Sequence, residues 1–412
     1  MTAPLDVSRI RKDFPILSRD VRGTRLVYLD SANTSQKPQS VLDAMDRYYE
    51  RSNANVHRGT YLIAQEATEA LEGARGRVRR FIGAPSNKGV VFTKNATEAL
   101  NLVVRAWGTA HLREGDAVVL TEMEHHANIV PWHQLREAIG IELRWVGLTP
   151  DGQLDLSDLD TLLDGAKVLS FTAMSNVLGT VTPVEQLVSR AHDAGAIAVV
   201  DASQHVPHLP TDVQAWGADF VAFTGHKLLG PTGIGVLYGT EEILDATPPF
   251  LGGGEMIVNV TKDGFTHTEL PWKFEAGTPM IAEAVGLGAA CDYLDGLGME
   301  AVRQHEVELT AYTLRTLTER FGDDLTIHGP KEPAARGGVF SFAYKGIHPH
   351  DLTQVFDEHG VCVRAGHHCA KPLMRALGAN ATARASLYVY NDTDDIDALG
   401  DAMQAAGDFF AF

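Results

Sequence analysis

The sequence predicts an α/β protein, with a large domain built on a mostly parallel, helix-covered sheet and a smaller α+β domain after it. Two observations predict this class. Between about Ser40 and Tyr238, short apolar runs alternate with helical patterns, which is typical of a parallel sheet. From about Leu297 onwards, helical patterns combine with one strand-like run, which indicates a second, smaller unit.

The predicted strands are the short apolar runs of the first region. Runs of this length are typical of buried strands, although periodicity alone does not separate them from pieces of helix. In chain order they are Gly89–Thr93, Ala117–Leu120, Lys167–Phe171, Ile197–Asp201 and Phe220–Thr224.

The rest of the chain divides into an irregular connection and a helical part. Pro248–Pro279 is rich in glycine, proline and aromatic residues, and we expect it to cross the functional site or reach a partner subunit. Helical patterns return from Ile281 to about Arg320, followed by a strand at Gly338–Phe342 and a final helix from about Asp392. We therefore predict an N-terminal segment, 1–22, that packs with the small domain, a large domain, 23–296, and a small domain, 297–412.

Composition and charge limit the class of protein. The chain has 412 residues, 44% of them apolar, which allows a substantial core. No run approaches the roughly 18 to 20 apolar residues of a membrane helix, and Met1–Leu17 lacks a signal-peptide core, so we expect a cytoplasmic protein. A formal net charge of −18 opposes binding to nucleic acid and anionic membranes. Cys291, Cys362 and Cys369 form no CxxC pair, so neither a disulfide framework nor a thiolate metal site is expected.

Two residues that follow predicted strands indicate a cofactor. Asp201 ends one strand, and Lys227 comes shortly after another. Ligands of open α/β sheets gather beyond the carboxyl ends of strands. Pyridoxal phosphate needs an amine to hold its aldehyde and a carboxylate to keep its pyridine nitrogen protonated, and these residues would supply both. The alternative is that Asp201 caps a turn and Lys227 is a surface lysine.

The segment Thr93–Glu98 follows a strand and opens a predicted helix. The N–H groups of Ala96 and Thr97 would face an anion at the positive end of the helix, with the Thr97 hydroxyl beside them. The same pattern is also an ordinary helix cap. Thr224 and His226, next to the candidate lysine, favour the phosphate interpretation.

The segment Glu124–Asn128 contains two adjacent histidines after a strand. An imidazole there, at His125, would lie on a pyridine ring and exchange protons near neutral pH. The alternatives are a pair of metal ligands or a polar surface turn.

The segment Arg364–Ala370 places a cysteine among polar and basic residues in a predicted loop. Positive neighbours lower a thiol pKa, which makes Cys369 a candidate nucleophile; the alternative is an inert buried cysteine. Arg384 follows, and its guanidinium would grip a substrate carboxylate with two hydrogen bonds. The alternative for Arg384 is a surface salt bridge.

Taken together, these segments resemble the class V, fold-type I pyridoxal phosphate enzymes, and specifically the SufS-type (group II) cysteine desulfurases. The resemblance extends from about Leu29 to about Asn391 and implies a seven-stranded sheet in the large domain. The most specific matching segments are Glu124–Trp132, Ser175–Thr180, Thr224–Gly235, Phe274–Pro279 and Arg364–Ala370.

The resemblance also implies how the cofactor is held. Lys227 would form the internal aldimine, Asp201 would bind the pyridine nitrogen, Gln204 would bond the ring oxygen and His125 would stack on the ring. The residues implied to hold the phosphate are Ala96, Thr97, Thr224 and His226.

Substrate and subunit contacts are implied in the same way. Arg384 and Asn176 would bind the substrate carboxylate, and Arg58 and His57 would line the entrance. Thr278 would reach the phosphate of the other subunit, so that the active enzyme would be a homodimer.

The implied reaction converts L-cysteine to L-alanine. Lys227 would move the α-proton and the Cys369 thiolate would attack the substrate sulfur, which leaves a persulfide on Cys369. An acceptor protein of the SufU or SufE type would take that sulfur for iron–sulfur cluster assembly. His350, in His348–Asp351, is a candidate contact with a zinc-containing SufU-type acceptor.

The sequence departs from the family pattern twice. Asn95–Ala96 stands where relatives often carry Gly-Thr, so one hydroxyl contact to phosphate is expected to be missing. Asp201–Gln204 reads Asp-Ala-Ser-Gln where Asp-Gly-Ala-Gln is common. A selenocysteine lyase, an aminotransferase or β-eliminating enzyme of the same fold, and a catalytically silent assembly scaffold remain alternatives.

Overall fold

A computed structural model describes residues 4–411. The first three residues of the predicted N-terminal segment and the last residue of the predicted small domain lie outside this range. Within it, no helix combines the length and apolar content needed to cross a membrane.

The centre of the molecule is a seven-stranded sheet, whose strands we call β1 to β7 in chain order. They are β1 Val90–Thr93, β2 Ala117–Thr121, β3 Glu142–Val146, β4 Ala166–Thr172, β5 Ile197–Asp201, β6 Phe220–Thr224 and β7 Gly235–Gly239. Their order across the sheet is β1-β7-β6-β5-β4-β2-β3. Only β7 runs antiparallel to its neighbours. The predicted α/β class and its mostly parallel seven-stranded sheet are therefore confirmed.

Two of these strands have no counterpart among the apolar runs identified in the sequence. The edge strand β3 reads ELRWV and is half-exposed along most of its length, so it lacks a continuous apolar run. Strand β7 is fully buried but is bounded by glycine at both ends, and its three central residues form a very short apolar run.

Both faces of the sheet are covered by apolar clusters. Successive residues of a strand point to opposite sides of the sheet, so each strand contributes to both clusters. In β2, Val119 belongs to one apolar cluster, whereas Val118 and Leu120 belong to the cluster on the other face. The helices of this part are Gln39–Arg51, Leu62–Phe81, Ala96–Leu102 with its π-helical continuation Val103–Gly108 and the turn Thr109–His111, Val130–Ile139, Leu159–Leu163, Val184–Asp193, His205–His208, Val213–Trp216, Glu241–Ala246 and Ile281–Leu297.

The last third of the chain forms a second, four-stranded antiparallel sheet. Its strands are β8 Leu325–Ile327, β9 Val339–Tyr344, β10 Arg364–Gly366 and β11 Thr382–Ser386, in the order β8-β9-β11-β10. Its helices are Met299–Phe321, Pro349–Glu358, Lys371–Ala376 and Thr393–Phe409. Only β9 was predicted as a strand; β10 and β11 are short and carry arginines, so they lack the apolar signal.

Short elements connect these parts. Near the N-terminus, a helical turn at Val7–Ile10 leads to the ring of Phe14, which packs on Tyr293 and Tyr390. The predicted irregular connection contains an exposed hairpin, Ile257–Val260 and Phe265–His267. The domain boundaries given above stay a prediction.

Candidate active site

A cavity of about 240 Å³ opens at the carboxyl ends of β4, β5 and β6. Parallel strands end at the same edge, which is where ligands of open α/β sheets bind. Loops from both sheets close the cavity. The predicted site residues that line it are Ala96, Thr97, His125, Asn176, Asp201, Gln204, Thr224, His226, Lys227, Cys369 and Arg384.

Lys227 is half-buried in the wall of the cavity, at the end of the turn Gly225–Lys227 that follows β6. Burial lowers the pKa of its ammonium to about 8; the positive charges of Arg384 and Arg364 act in the same direction, and Asp201 and Cys369 oppose them. A larger share of the uncharged amine is therefore present near neutral pH than for an ordinary lysine. That amine is the form that attacks an aldehyde or takes a proton.

Asp201 is the last residue of β5 and is buried. Its Oδ1 accepts hydrogen bonds from the Ser203 amide at 3.0 Å and the Ser203 hydroxyl at 2.6 Å. Ser203 is thus the residue that orients the carboxylate, at a position where relatives were expected to carry alanine. The second oxygen, Oδ2, accepts no hydrogen bond from residues 4–411 and would receive a ring N–H.

The cavity contains buried polar atoms that have no protein partner within the described chain. They include Thr224 Oγ1 and Gln204 Oε1. Gln204 is anchored by its amide N–H, which donates to the Ala32 carbonyl at 2.7 Å, and Thr224 is almost fully buried. Buried polar groups are normally hydrogen-bonded, so a ligand with polar oxygens, such as phosphate and a ring hydroxyl, fits this wall.

The helix Ala96–Leu102 begins at the cavity. Asn95 caps it, since its Oδ1 accepts from the Glu98 amide at 2.9 Å. The cap therefore exists, but it satisfies one N–H only. The amides of Ala96 and Thr97, in the first turn, have no partner within the helix and remain available for an anion.

His125 lies at the start of the turn after β2. Its Nδ1 accepts a hydrogen bond from the Ala127 amide at 3.1 Å, so the proton of the neutral ring sits on Nε2. Burial lowers the pKa of His125 to about 3, and Lys227 contributes in the same direction. His125 is therefore a neutral ring, suited to stacking and to donating through Nε2.

Cys369 lies on a turn just after β10, where His368 and Cys369 both adopt positive φ angles of 52° and 56°. Two carbonyls of the turn accept hydrogen bonds from other loops. The Cys369 carbonyl accepts from the His126 amide at 2.8 Å, and the His368 carbonyl accepts from Asn176 Nδ2 at 2.8 Å. Non-glycine residues at positive φ persist where surrounding contacts enforce them, and here the contacts turn a half-exposed thiol into the cavity. Cys291, by contrast, is fully buried.

Two arginines face the thiol. Arg364 Nη2 lies 3.6 Å from Cys369 Sγ. Arg384 is fully buried and is held by the Asn176 carbonyl at 2.9 Å and by Asp30 at 3.2 Å, while its Nε has no partner among the described residues. Burial lowers the pKa of Arg384 to about 10, which leaves the guanidinium charged at neutral pH. A carboxylate ligand would compensate this buried charge.

Three predicted site residues lie outside the cavity. His57 is 3.7 Å from Glu72 and packs edge-on against Trp272, and Arg58 is 3.5 Å from Glu255. Thr278 lines a separate, mostly apolar cavity of about 130 Å³. The predicted roles of His57 and Arg58 at the entrance, and of Thr278 at the other subunit's phosphate, stay predictions. His350 is exposed and its ring stacks on His348.

The motif-based prediction assigned no role to Glu124, Arg364 or Asp30. Glu124 accepts from the Thr121 hydroxyl at 2.6 Å, from Asn128 Nδ2 at 2.7 Å and from the Thr172 amide at 2.9 Å. It thereby holds the His125 turn between β2 and β4. Burial raises the Glu124 pKa to about 8, although the three donors oppose the rise. In the sequence, only the position of Glu124 directly before the two histidines indicated a role for it.

The chain is similar to known proteins over nearly its whole length. A family model described as Aminotransferase class-V matches residues 27–399. A protein of Streptomyces coelicolor described as "Probable cysteine desulfurase" is 54% identical, with 98% of each chain covered. A "Cysteine desulfurase" of Haloferax volcanii is 49% identical, covering 99% of this chain and 98% of that one.

Solved structures give the same picture. The apo structure of a cysteine desulfurase from Thermococcus onnurineus matches with a TM-score of 0.93 and 40% identity, covering 99% of this chain and 100% of that one. The cysteine desulfurase CsdA of Escherichia coli matches with a TM-score of 0.90 and 35% identity over the same shares of the two chains.

Proposed function

The chain belongs to the class-V aminotransferase family, and from this premise we propose that it is a pyridoxal phosphate-dependent cysteine desulfurase that converts L-cysteine to L-alanine. One observation carries the proposal: Lys227, Asp201, His125, Cys369 and Arg384 all line one cavity. An amine, a carboxylate, a flat ring, a thiol and a guanidinium are the groups that this reaction needs. The similarity to cysteine desulfurases supports the same function.

The chain's own residues would hold the cofactor from every side. Lys227 would bind its aldehyde, Asp201 would accept the ring N–H, His125 would lie on the ring and Gln204 would bond the ring oxygen. The phosphate would be held by the amides of Ala96 and Thr97, the Thr224 hydroxyl and His226. When bound, pyridoxal phosphate supplies an electron-accepting ring that makes the substrate α-proton acidic.

Arg384 and Asn176 would orient the substrate. The buried guanidinium would grip the carboxylate of L-cysteine, which directs the substrate side chain away from it and toward the Cys369 turn. We add Arg364 to the residues of the site, because its Nη2 lies 3.6 Å from Cys369 Sγ and would place a positive charge beside the attacking sulfur.

The chemical steps are then assigned to two side chains. The Lys227 amine takes the α-proton of L-cysteine and returns a proton later. The Cys369 thiolate attacks the substrate sulfur: an S–S bond forms, the Cβ–S bond breaks, and the electron pair left on Cβ takes up a proton. The products are L-alanine and a persulfide on Cys369.

A direct experiment is to incubate the cofactor-loaded protein with L-cysteine and measure alanine, pyruvate and sulfide. We expect alanine without pyruvate from the wild type. We expect a loss of at least about 100-fold for Cys369→Ser, which keeps the turn but lacks the nucleophile. Equal alanine production by both proteins would exclude Cys369 as the sulfur acceptor. Pyruvate in place of alanine would identify a β-eliminating enzyme.

Two other functions give different outcomes. A selenocysteine lyase shares this fold and cofactor, so relative rates on L-cysteine and L-selenocysteine separate the two activities. A catalytically silent scaffold would release no alanine at all, and the five groups gathered in one cavity argue against it.

We further propose that the enzyme is of the SufS type and passes its persulfide to a SufU-type or SufE-type acceptor for iron–sulfur cluster assembly. The exposed position of His350, at the start of the helix Pro349–Glu358, supports a contact with a zinc-containing acceptor. Sulfur transfer to a SufU-type protein should fall for His350→Ala, with the acceptor-free rate as control. Unchanged transfer would remove this contact from the proposal.

A further inference from the structure

A half-buried ammonium that the mechanism does not use lies beside the turn carrying Lys227. Lys37 Nζ donates to the His226 carbonyl at 2.9 Å and to the Ser35 carbonyl. Burial lowers the Lys37 pKa to about 8, and no carboxylate of residues 4–411 opposes this shift. Burying an ammonium without an acidic partner costs free energy, and here two carbonyl oxygens are its partners.

His226 is the residue before Lys227, and its carbonyl accepts hydrogen bonds from the loop 34–37, which contains Lys37. It also accepts from the Ser35 amide at 2.9 Å and from the hydroxyls of Thr34 and Ser35 at 3.1 Å each. Among these donors the ammonium is the only charged one, and charge-assisted hydrogen bonds are the stronger ones.

The same loop also holds the chain after Lys227. Ser35 Oγ accepts from the Leu229 amide at 2.9 Å, where Leu229 has a positive φ of 58°. Residues on both sides of Lys227 are thus fixed by one loop.

The loop is itself held by the hydroxyls of two tyrosines. The Tyr28 hydroxyl donates to the Thr34 carbonyl at 2.7 Å, and the Gln36 amide donates to the Tyr390 hydroxyl at 3.1 Å. Tyr390 is fully buried and its hydroxyl also bonds the Ser31 hydroxyl at 2.8 Å. The loop therefore forms a rigid support for the Lys227 turn.

We propose that Lys37 is a positioning residue, whose ammonium fixes the His226 carbonyl and thereby the backbone from which the Lys227 amine reaches the cofactor aldehyde. The inference rests on the proposed function, because it assumes that Lys227 binds pyridoxal phosphate. Reaction rates depend steeply on the placement of the attacking group, so loosening this turn slows the attack of the amine.

The test measures the rate at which pyridoxal phosphate becomes covalently attached to the cofactor-stripped protein, followed by its visible absorbance band. The variants are Lys37→Met, which keeps the length without the donors, and Lys37→Arg, which keeps a cation that donates to carbonyls. The matched control is Lys273→Met, because Lys273 is a buried lysine that donates to the Leu244 and Asp245 carbonyls at 3.1 and 2.8 Å, away from the cavity. Thermal unfolding of each variant is recorded alongside.

We expect Lys37→Met to slow attachment about tenfold or more and Lys37→Arg to restore most of the rate. The attachment rate of Lys273→Met should stay within about twofold of the wild-type rate, even if this variant lowers the unfolding temperature as much as Lys37→Met does. A wild-type rate in folded Lys37→Met overturns the inference. If Lys37→Met does not fold, Lys37→Gln decides, because it removes the charge and keeps a polar side chain: slowed attachment supports the inference, and an unchanged rate overturns it.

The two levels of proposal fail differently. A wild-type protein that does not attach the cofactor contradicts the proposed function, and the inference with it. A wild type that attaches the cofactor, with Lys37→Met equally fast, contradicts the inference alone.

Discussion

At the scale of single residues, burial changes the chemistry of Lys227 more than its charged neighbours do. Its ammonium lies near Asp201, which stabilises the charge, yet the pKa falls to about 8 because desolvation outweighs that attraction. Burial also keeps His125 neutral, with a pKa of about 3, and there the neighbouring positive charges act in the same direction. The cavity thus holds a reactive amine and an uncharged ring together.

This balance predicts a pH dependence for cofactor attachment. Because only the uncharged amine attacks the aldehyde, the attachment rate of the cofactor-stripped protein should rise with pH through a midpoint of about 8. Stopped-flow absorbance over a pH series measures it in Lys37→Arg, whose guanidinium stays charged in the range where the Lys37 ammonium, with a pKa of about 8, would titrate. Lys227→Ala is the blank. A midpoint near that of an ordinary lysine, about 10.4, would contradict the environment described for Lys227.

The role of a residue could be predicted from sequence when its local motif indicates the chemistry, as with Lys227 after a strand or Cys369 beside histidines. Arg364, Ser203 and Lys37 were assigned no role. Arg364 and Ser203 contact Cys369 and Asp201, five and two positions away, but no residue motif marks these contacts. Lys37 bonds a backbone carbonyl 189 positions away, and no local pattern marks such a contact.

At the scale of elements, the part of the cavity proposed to hold phosphate depends on close packing of β7 against the start of a helix. A Cβ added at Gly235, the first residue of β7, would meet the Asn95 carbonyl carbon, would lie 2.5 Å from Asn95 Cα and 2.9 Å from the Ala96 nitrogen. These are backbone atoms, which cannot rotate away. Glycine is therefore needed where the strand passes the turn proposed to bind the anion.

Gly235→Ala should weaken cofactor binding by displacing the Ala96 and Thr97 amides. Losing about one hydrogen bond to phosphate corresponds to a Kd that rises about tenfold, measured by spectroscopic titration. Gly147→Ala is the control, since a Cβ there meets nothing within 4 Å. Equal affinity in both variants would show that this turn does not hold the phosphate.

The elements that the sequence predicted best are the buried central strands, because a strand buried on both faces requires a continuous apolar run. Strand β5 was predicted with its observed bounds, Ile197–Asp201. The edge strand β3 and the arginine-bearing β10 and β11 are stabilised by tertiary contacts, so their local sequence carries little signal.

At the scale of the whole molecule, one chain does not bring every predicted residue to its own cavity. Thr278 lies in a second cavity, and Arg58 and His57 contact Glu255 and Glu72. Exposed apolar residues on the nearby hairpin, Val258, Val260 and Phe265, suit a subunit interface. The homodimer in which Thr278 would serve the partner's phosphate stays a prediction.

Mixed dimers test that exchange. In a dimer of Lys227→Ala with Thr278→Val, the one subunit with a reactive lysine receives an intact Thr278 from its partner, so about half of the wild-type activity and normal cofactor affinity should return. In the control, wild type paired with the double variant Lys227→Ala/Thr278→Val, the only working site receives valine and should bind cofactor weakly. The reverse pattern would place Thr278 in its own subunit's site.

The proposed function depends on the transfer of sulfur from L-cysteine to Cys369. Mass spectrometry of the protein after a single turnover with L-cysteine and no acceptor, followed by peptide mapping, tests this transfer. We expect one added sulfur atom on the peptide that contains Cys369 and none on the peptides of Cys291 or Cys362. Alanine formed in stoichiometric amount with no sulfur on Cys369, or with sulfur on another cysteine, would exclude Cys369 as the sulfur acceptor.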